Sequence, residues 1–140
     1  MATSPSTPIT DPDRRLGVVV GILVGPDGYL VQQRPPGKPC AGYWEFPGGK
    51  IEPGETPEQA LDRELHEELA VRVVQSRFLM EHLHDYDHAN VRLLVYLVTR
   101  FEGAPVPIEG QNLLWGSLDQ IRSMEVLEAV YPILERMAEN

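Results

Sequence analysis

Several features that would narrow the class of this chain are scarce or missing. Its 140 residues include one cysteine, Cys40, which excludes an internal disulfide and favours a reducing compartment. No apolar run approaches the roughly 18 residues of a membrane-spanning helix, and residues 1–15 lack the apolar centre of a secretion signal. The net charge of −9 argues against a nucleic-acid polymer as partner, because such polymers are bound by basic surfaces. We therefore expect a cytoplasmic protein that binds neither membranes nor nucleic-acid polymers.

The length and the composition predict one folded domain. Residues 1–13 are rich in Ser, Thr and Pro and offer almost nothing to bury, so we expect a disordered tail over residues 1–15. Residues 16–140 are long enough for one hydrophobic core. The sequence leaves open whether the protein is a monomer or a homodimer, and whether this domain belongs to a longer fused polypeptide.

Strands dominate the apolar pattern. Leu16–Val24 is an almost continuous apolar run, typical of a strand covered on both faces. A turn at residues 25–28 returns the chain along Tyr29–Gln33 and predicts a hairpin. Pro35–Gly42 holds three prolines and two glycines and reads as loop. Further strands are predicted at Tyr43–Phe46, Val71–Leu83, Val91–Phe101 and Leu113–Trp115.

Two helices are expected among these strands. Thr56 caps the first, with Pro57 at its first position and Gln59 completing a capping box; its buried stripe is Leu61, Leu65 and Leu69. Ser117 caps a brief helical turn through Ile121. Val126–Met137 forms the closing helix, which Pro132 bends or delays. The predicted class is α/β, a mixed sheet packed between helices.

The first helix carries an unusual acidic group. Glu64, Glu67 and Glu68 stand at i, i+3 and i+4, so their carboxylates share one helix face and repel one another. A hard divalent cation with oxygen ligands, such as Mg²⁺, would compensate that repulsion. A solvated acidic surface is the ordinary alternative for such a run. The loop before the helix decides between them, because Gly48 and Gly49 allow close backbone approach and free a carbonyl for a metal.

The spacing of these residues resembles a known motif. The stretch Gly48–Val71, GGKIEPGETPEQALDRELHEELAV, resembles the Nudix box, and the preceding WEFP resembles that of the MutT-like branch of the family. The resemblance implies an α/β/α sandwich. It also implies Mg²⁺-dependent hydrolysis, with Mn²⁺ as a substitute, of a nucleoside triphosphate to the monophosphate and pyrophosphate. The position two residues after the last glutamate departs from the pattern: the family has glycine there and this chain has Ala70.

The resemblance assigns roles within and beyond the box. Metal ligands would be Gly48, Glu64, Glu67, Glu68 and Glu109, the last from the segment EGQ. The general base that takes a proton from the attacking water would be one of Glu64, Glu67 and Glu109, and spacing does not decide which. Structural roles fall to Gly49, Glu55 and Arg63. We expect Arg63 to pair with Glu55 or Glu52 and to face away from the metal cluster.

Substrate contacts are expected on both sides of the box. Arg34 occupies the place of a phosphate-binding arginine, a task that suits a guanidinium, and Lys50 adds positive charge near the glycines. Phe46 and Trp44 are candidates to flank the base, although aromatic residues on strands usually pack in the core; Tyr86 is a weaker candidate.

The second departure from the family concerns the residue that reads the base. MutT-like enzymes place an Asn or Asp near the start of the last helix, three residues before an apolar pair. Counting back three residues from the pair Ile133–Leu134 puts Val130 at that position. Valine forms no side-chain hydrogen bond, so the reader would be another residue, Asn112 or Glu128, or selectivity for an oxidised purine is relaxed.

Three functions follow from this pattern. The leading one is an 8-oxo-dGTP diphosphatase that cleans the nucleotide pool and so supports DNA repair. The second is a pyrophosphohydrolase of CTP or modified pyrimidine nucleotides, which Val130 favours. The third is a nucleotide sensor without catalysis, which the presence of Glu64, Glu67 and Glu68 disfavours.

Two other groups of reactive side chains have ordinary explanations. No cysteine-enzyme signature surrounds Cys40, so we expect a small buried or half-buried residue. His82, His84 and His88 lack an evident fourth ligand for zinc, and we expect solvated loop histidines.

Overall fold

The structure, a computed structural model, describes residues 15–87 and 89–139. The predicted tail and His88 therefore lie outside the described residues, apart from Arg15. The Arg15 guanidinium donates a hydrogen bond to the Asp85 carboxylate at 2.7 Å.

A mixed sheet forms the centre of the molecule. Within the described ranges the chain has seven strands: β1 Leu16–Gly25, β2 Gly28–Gln33, β3 Trp44–Glu45, β4 Gly48–Lys50, β5 Arg72–Asp85, β6 Asn90–Glu102 and β7 Asn112–Gly116. Their order is β3-β2-β1-β6-β5, with β4 paired to β1 and β7 paired to β2. β1 and β6 are parallel, whereas the other pairs are antiparallel.

Helices pack against the sheet from both sides. The described residues form α1 Pro57–Leu69, α2 Leu118–Arg122 and α3 Val130–Ala138. The predicted α1 stripe, Leu61, Leu65 and Leu69, is fully buried in one apolar cluster, whereas α3 buries its apolar face in a second cluster. Two clusters on two helices, with the sheet between them, confirm the expected α/β sandwich. In the part of the chain that the structure describes, no helix is long and apolar enough to cross a membrane.

Local signals fixed the start of α1. The Thr56 side chain accepts from the Gln59 backbone at 3.1 Å, and the Gln59 side chain accepts from the Thr56 backbone at 2.9 Å. The backbone N–H groups of Thr56 and Gln59 are therefore both hydrogen-bonded, as the capping box predicted. The start places Glu64, Glu67 and Glu68 in the second and third turns.

The structure differs from the prediction at two elements, β4 and the closing helix. β4 was not expected, because its glycines carry no side-chain pattern; it forms by pairing with Val18–Val20 of β1. The closing helix begins at Val130, not Val126, and Pro132 lies in its first turn, where its missing N–H costs nothing. Val126 instead forms an isolated bridge with Trp44.

Ala70 ends α1 in a left-handed conformation. Its φ of 61° and ψ of 31° lie in the region that glycine adopts most easily, and its N–H donates to the His66 carbonyl. Alanine there costs about 1 kcal/mol relative to glycine. The departure from the family pattern thus falls at a position that requires positive φ.

Candidate active site

Arg63 connects the loop before α1 to the acidic face of the helix. Its guanidinium donates to both oxygens of Glu55, at 2.6 and 3.0 Å, and to the Lys50 carbonyl at 2.9 Å. It also donates to Glu64 at 3.1 Å and to Glu67 at 3.3 Å. The hydrogen bonds from Arg63 hold the pKa of Glu55 below its usual value.

This geometry differs from one expectation. The pairing with Glu55 is present, but Arg63 does not face away from the acidic cluster. Five N–H donors allow one guanidinium to serve the loop and two helix carboxylates together. Arg63 therefore offsets part of the repulsion that the helix spacing creates.

Glu68 is the buried carboxylate of the group. Its residue is 8% exposed, and Gln32 Nε2 donates to its Oε1 at 3.0 Å. Burial and a hydrogen bond with the Glu64 carboxyl group raise the pKa of Glu68 to about 9. Two adjacent carboxyl groups that are shielded from water form a suitable site for a divalent cation. Binding of the cation would release the proton held by Glu68.

A polar cleft opens in front of these two carboxylates. It is lined by polar and charged residues together with Gly48 and Pro35, namely Gln32, Gln33, Arg34, Lys38, Glu45, Glu64, Glu68, Glu109 and Gln111. We call this space the polar cleft. Glu109 belongs to it, and Lys38 lies 3.9 Å from the Glu109 carboxylate. The cleft thus brings Gly48 together with three of the four predicted metal-binding glutamates.

Glu67 does not line the cleft. Its side chain is 58% exposed and pairs with Arg63. Consistent with this, no group of three or more Asp, Glu, His or Cys side chains in the described ranges converges to hold a metal ion. Glu64, Glu68 and Glu109 therefore line one cleft, but their carboxylates do not converge on a single ion position.

The two glycines bring the loop close to the cleft. A Cβ on Gly48 would lie 2.0 Å from the Val19 carbonyl oxygen, and one on Gly49 would lie 2.2 Å from the Glu64 carboxyl carbon. A side chain at position 48 would push β4 away from β1, and one at position 49 would displace the Glu64 carboxylate. The oxygen-rich donor set and this close backbone approach fit a hard cation such as Mg²⁺.

A second, apolar cavity adjoins the polar cleft. It holds about 200 Å³ and is lined by residues of β1, β6, the segment before α3 and α3 itself, together with Phe46, Tyr86, Arg34, Glu45 and Gly48. We call it the apolar pocket. Phe46 is buried in the core and also lines this pocket. The segment before α3 and α3 contribute Leu127, Ala129, Val130 and Ile133, all without polar side-chain atoms.

Arg34 and Glu45 mark the junction of the two cavities. Arg34 Nη1 donates to both Glu45 oxygens, at 3.0 and 3.2 Å, and its Nε donates to the Pro39 carbonyl at 2.6 Å. Burial raises the pKa of Glu45, and the neighbouring Arg34 opposes that shift. Both residues and Gly48 line both cavities.

Some predicted site residues lie elsewhere. The exposed side chain of Lys50 lines neither cavity, and its backbone carbonyl accepts from Arg63. Asn112 donates to the Gln33 side chain at 2.7 Å and also lines neither cavity. Glu128 is exposed. Neither alternative base reader named from the sequence therefore lines the apolar pocket.

Residues that sequence reasoning missed are mostly polar partners of the glutamates. Gln32, Gln111, Glu45 and Lys38 all line the polar cleft. The available signal for Gln32 was its place directly after Leu30 and Val31 on a predicted strand, because an amide buried beside apolar residues needs partners.

Two ordinary explanations need correction. Cys40 is exposed, as are its loop neighbours over residues 36–43. His82 lies on strand β5, within the strand that the sequence predicted, and His84 also lies on β5 and not in a loop. The His84 ring lies 4.5 Å from that of Tyr86.

Comparisons with known proteins agree with this geometry. The NUDIX domain family profile matches residues 13–139. The chain is 36% identical over 126 residues to an 8-oxo-dGTP diphosphatase of Escherichia coli K12, covering 89% of this chain and 97% of that protein. It is also 36% identical over 118 residues to a CTP pyrophosphohydrolase of the same organism, covering 84% and 87%.

The fold of the chain is also similar to that of a solved structure. The solution structure of the E. coli ORF135 protein aligns with a TM-score of 0.80 at 33% identity, covering 89% of each chain. The fold, the acidic helix and these matches define a hydrolase. This chain belongs to the NUDIX domain family, which confirms the resemblance read from its box.

Proposed function

We propose that this chain is a Mg²⁺-dependent nucleoside triphosphate pyrophosphohydrolase. The observation that carries the proposal is the meeting of the two cavities at Arg34, Glu45 and Gly48. A nucleoside triphosphate has one largely apolar, aromatic end and one strongly anionic end. The apolar pocket suits the base, and the polar cleft suits the phosphates with their cation.

The residues that would hold Mg²⁺, or Mn²⁺ in its place, are Gly48, Glu64, Glu67, Glu68 and Glu109. The cation would supply neutralisation of phosphate charge and a water of lowered pKa. Glu67 would join this group after leaving Arg63, one helical turn from Glu64. The proton of the attacking water would pass to Glu64, Glu67 or Glu109.

Other side chains would bind and orient the substrate. The Arg34 guanidinium faces the polar cleft and can donate to phosphate oxygens. Phe46 and Tyr86 would contact the base in the apolar pocket. Arg63 and Glu55 would keep the glycine loop fixed against α1, and Gly49 would leave room for Glu64.

The leading substrate is an oxidised purine triphosphate such as 8-oxo-dGTP, the substrate named for one relative. With that substrate the protein would act in the cytoplasm on the nucleotide pool, ahead of DNA synthesis. One observation favours a second substrate class, CTP or a modified pyrimidine nucleotide. Val130 and its neighbours give the α3 side of the pocket no polar side-chain atom to read a purine edge.

The experiment is a panel of canonical and oxidised nucleoside triphosphates, assayed for pyrophosphate release with and without Mg²⁺. The proposal expects Mg²⁺-dependent release together with the monophosphate. Preference for CTP over 8-oxo-dGTP would choose the second substrate class. No turnover of any nucleotide would reject the proposal.

A further inference from the structure

Gln32 is a buried polar residue of β2 that follows two apolar residues. It is 7% exposed, and its β2 neighbours Leu30 and Val31 are fully buried. In the sheet it lies opposite Glu45 of β3 and Leu113 of β7. A buried amide is costly unless its hydrogen bonds are made, so its partners account for its presence.

The partners of Gln32 all belong to the polar cleft. Gln32 Nε2 donates to Glu68 Oε1 at 3.0 Å, and Gln32 Oε1 accepts from Gln111 Nε2 at 3.1 Å. Gln111 Nε2 also donates to the Glu68 carbonyl at 3.1 Å, and Gln111 Oε1 accepts from the Glu109 backbone N–H at 2.9 Å. Two amide side chains thereby link Glu68 on α1 to the loop that carries Glu109.

We propose that Gln32 is a positioning residue that sets the orientation of the Glu68 carboxylate and, through Gln111, the place of the Glu109 loop. This inference rests on the proposed function, in which both glutamates bind the divalent cation. A donor on Oε1 of Glu68 would leave the other carboxylate oxygen available to a cation bound beside Glu64. Hydrogen-bond partners of this kind typically raise metal affinity by about 10- to 100-fold.

The competing explanation is that Gln32 only packs in the protein interior and contributes to stability. Under that explanation its removal would lower the melting temperature without a specific effect on cation binding. The geometry favours the positioning role, because the Gln32 amide nitrogen donates to Glu68 and its oxygen accepts from Gln111, which in turn accepts from the Glu109 backbone.

The test compares Gln32→Leu, which keeps the volume and removes the amide, with the wild type. Mn²⁺ binding to the nucleotide-free protein is titrated by electron paramagnetic resonance. Turnover of the best nucleotide is measured as a function of Mg²⁺ concentration. We expect the Mn²⁺ dissociation constant to rise about tenfold, and saturating Mg²⁺ to restore much of kcat.

Gln120→Leu is the matched control. The Gln120 side chain accepts from the Ser117 backbone at 2.8 Å at the start of α2, and Gln120 lines neither the polar cleft nor the apolar pocket. It should lose stability and keep the wild-type Mn²⁺ affinity. If Gln32→Leu does not fold, Gln32→Asn, which keeps the amide but shortens its reach, takes its place with the same expectation.

Each result decides the matter. Mn²⁺ affinity within twofold of wild type in the Gln32 variant, or an equal loss in the Gln120 control, would overturn the positioning role. If the wild type itself binds no Mn²⁺ and hydrolyses no nucleotide, the proposed function fails and this inference fails with it. Wild-type binding and turnover beside an unaffected variant would reject the inference alone.

Discussion

The polar cleft and the apolar pocket share one wall and are built on opposite principles. The cleft depends on charged groups that are individually unfavourable there: Glu68 is buried beside Glu64, and Arg63 and Gln32 compensate the pair. The pocket depends on β1, β6 and α3 side chains that would pack well with or without a ligand. Substitutions in the cleft should therefore alter catalysis and cation binding, whereas those in the pocket should alter selectivity.

The largest effect is expected from Glu67→Gln. The side chain keeps its size but loses its charge, so kcat should fall by about 10²–10⁴-fold, the usual range for a group that moves a proton or binds the reacting cation. Steady-state kinetics at saturating Mg²⁺ would measure it. Glu135→Gln, an exposed change on α3, is the control. Because Glu67 lies outside the cleft in this structure, wild-type activity in the variant would remove it from the catalytic set.

Val130→Asn should change substrate selectivity, the property that we assign to the apolar pocket. An amide in the apolar pocket would offer hydrogen bonds to a base edge, so the ratio of kcat/KM between 8-oxo-dGTP and CTP should shift by about 10-fold or more. The rate at saturating substrate should change much less. Val106→Asn, an exposed loop change, is the control. An unchanged ratio across the substrate panel would mean that α3 does not contact the base.

The cleft should also make stability depend on pH when Mg²⁺ is removed. The pKa of Glu68 is raised from 4.5 to about 9, so the folded state binds a proton that the unfolded state releases above pH 4.5. Stability of the metal-free protein should therefore be greatest near or below pH 4.5 as far as this group contributes, and should fall as the pH rises toward 9. Melting temperatures in EDTA would show this slope.

Saturating Mg²⁺ should flatten or reverse that slope, since the cation replaces the proton. Glu68→Gln should remove the slope in EDTA, because glutamine does not titrate. An EDTA slope as steep in Glu68→Gln as in wild type would assign the effect to other groups.

The smallest effect is expected from Ala70→Gly, outside both cavities. Glycine adopts the left-handed conformation at the end of α1 without strain, so the variant should gain about 1 kcal/mol, or roughly 2–4 °C in Tm for a chain of this size. Thermal unfolding would measure the gain, and kcat should be unchanged. A loss of stability would show that unfolded-state entropy outweighs the relief of strain.

The sequence predicted what depends on local signals. The capping residues Thr56 and Gln59 placed the start of α1, and the four-residue spacing of leucines placed its buried face. Together they put Glu64 and Glu68 on one side of the helix, which is the basis of the candidate site. The apolar run of β1 likewise predicted a central strand.

What the sequence did not predict depends on contacts between distant segments. The partners of Arg63 were only partly foreseen, because a guanidinium chooses among carboxylates according to the folded loop. The Gln32–Gln111 link joins residues 79 positions apart, and no spacing rule reports such a pair. β4 and the late start of α3 follow from pairing with β1 and from the bridge between Trp44 and Val126.

The Arg34–Glu45 pair has a consequence for altering this protein. Because the pair contributes to both cavities, a change there would alter nucleotide choice and turnover together, and the two effects would be hard to separate. Engineering of a new substrate preference is better begun at the first turn of α3, where the lining side chains belong to the apolar pocket alone and can be varied one at a time.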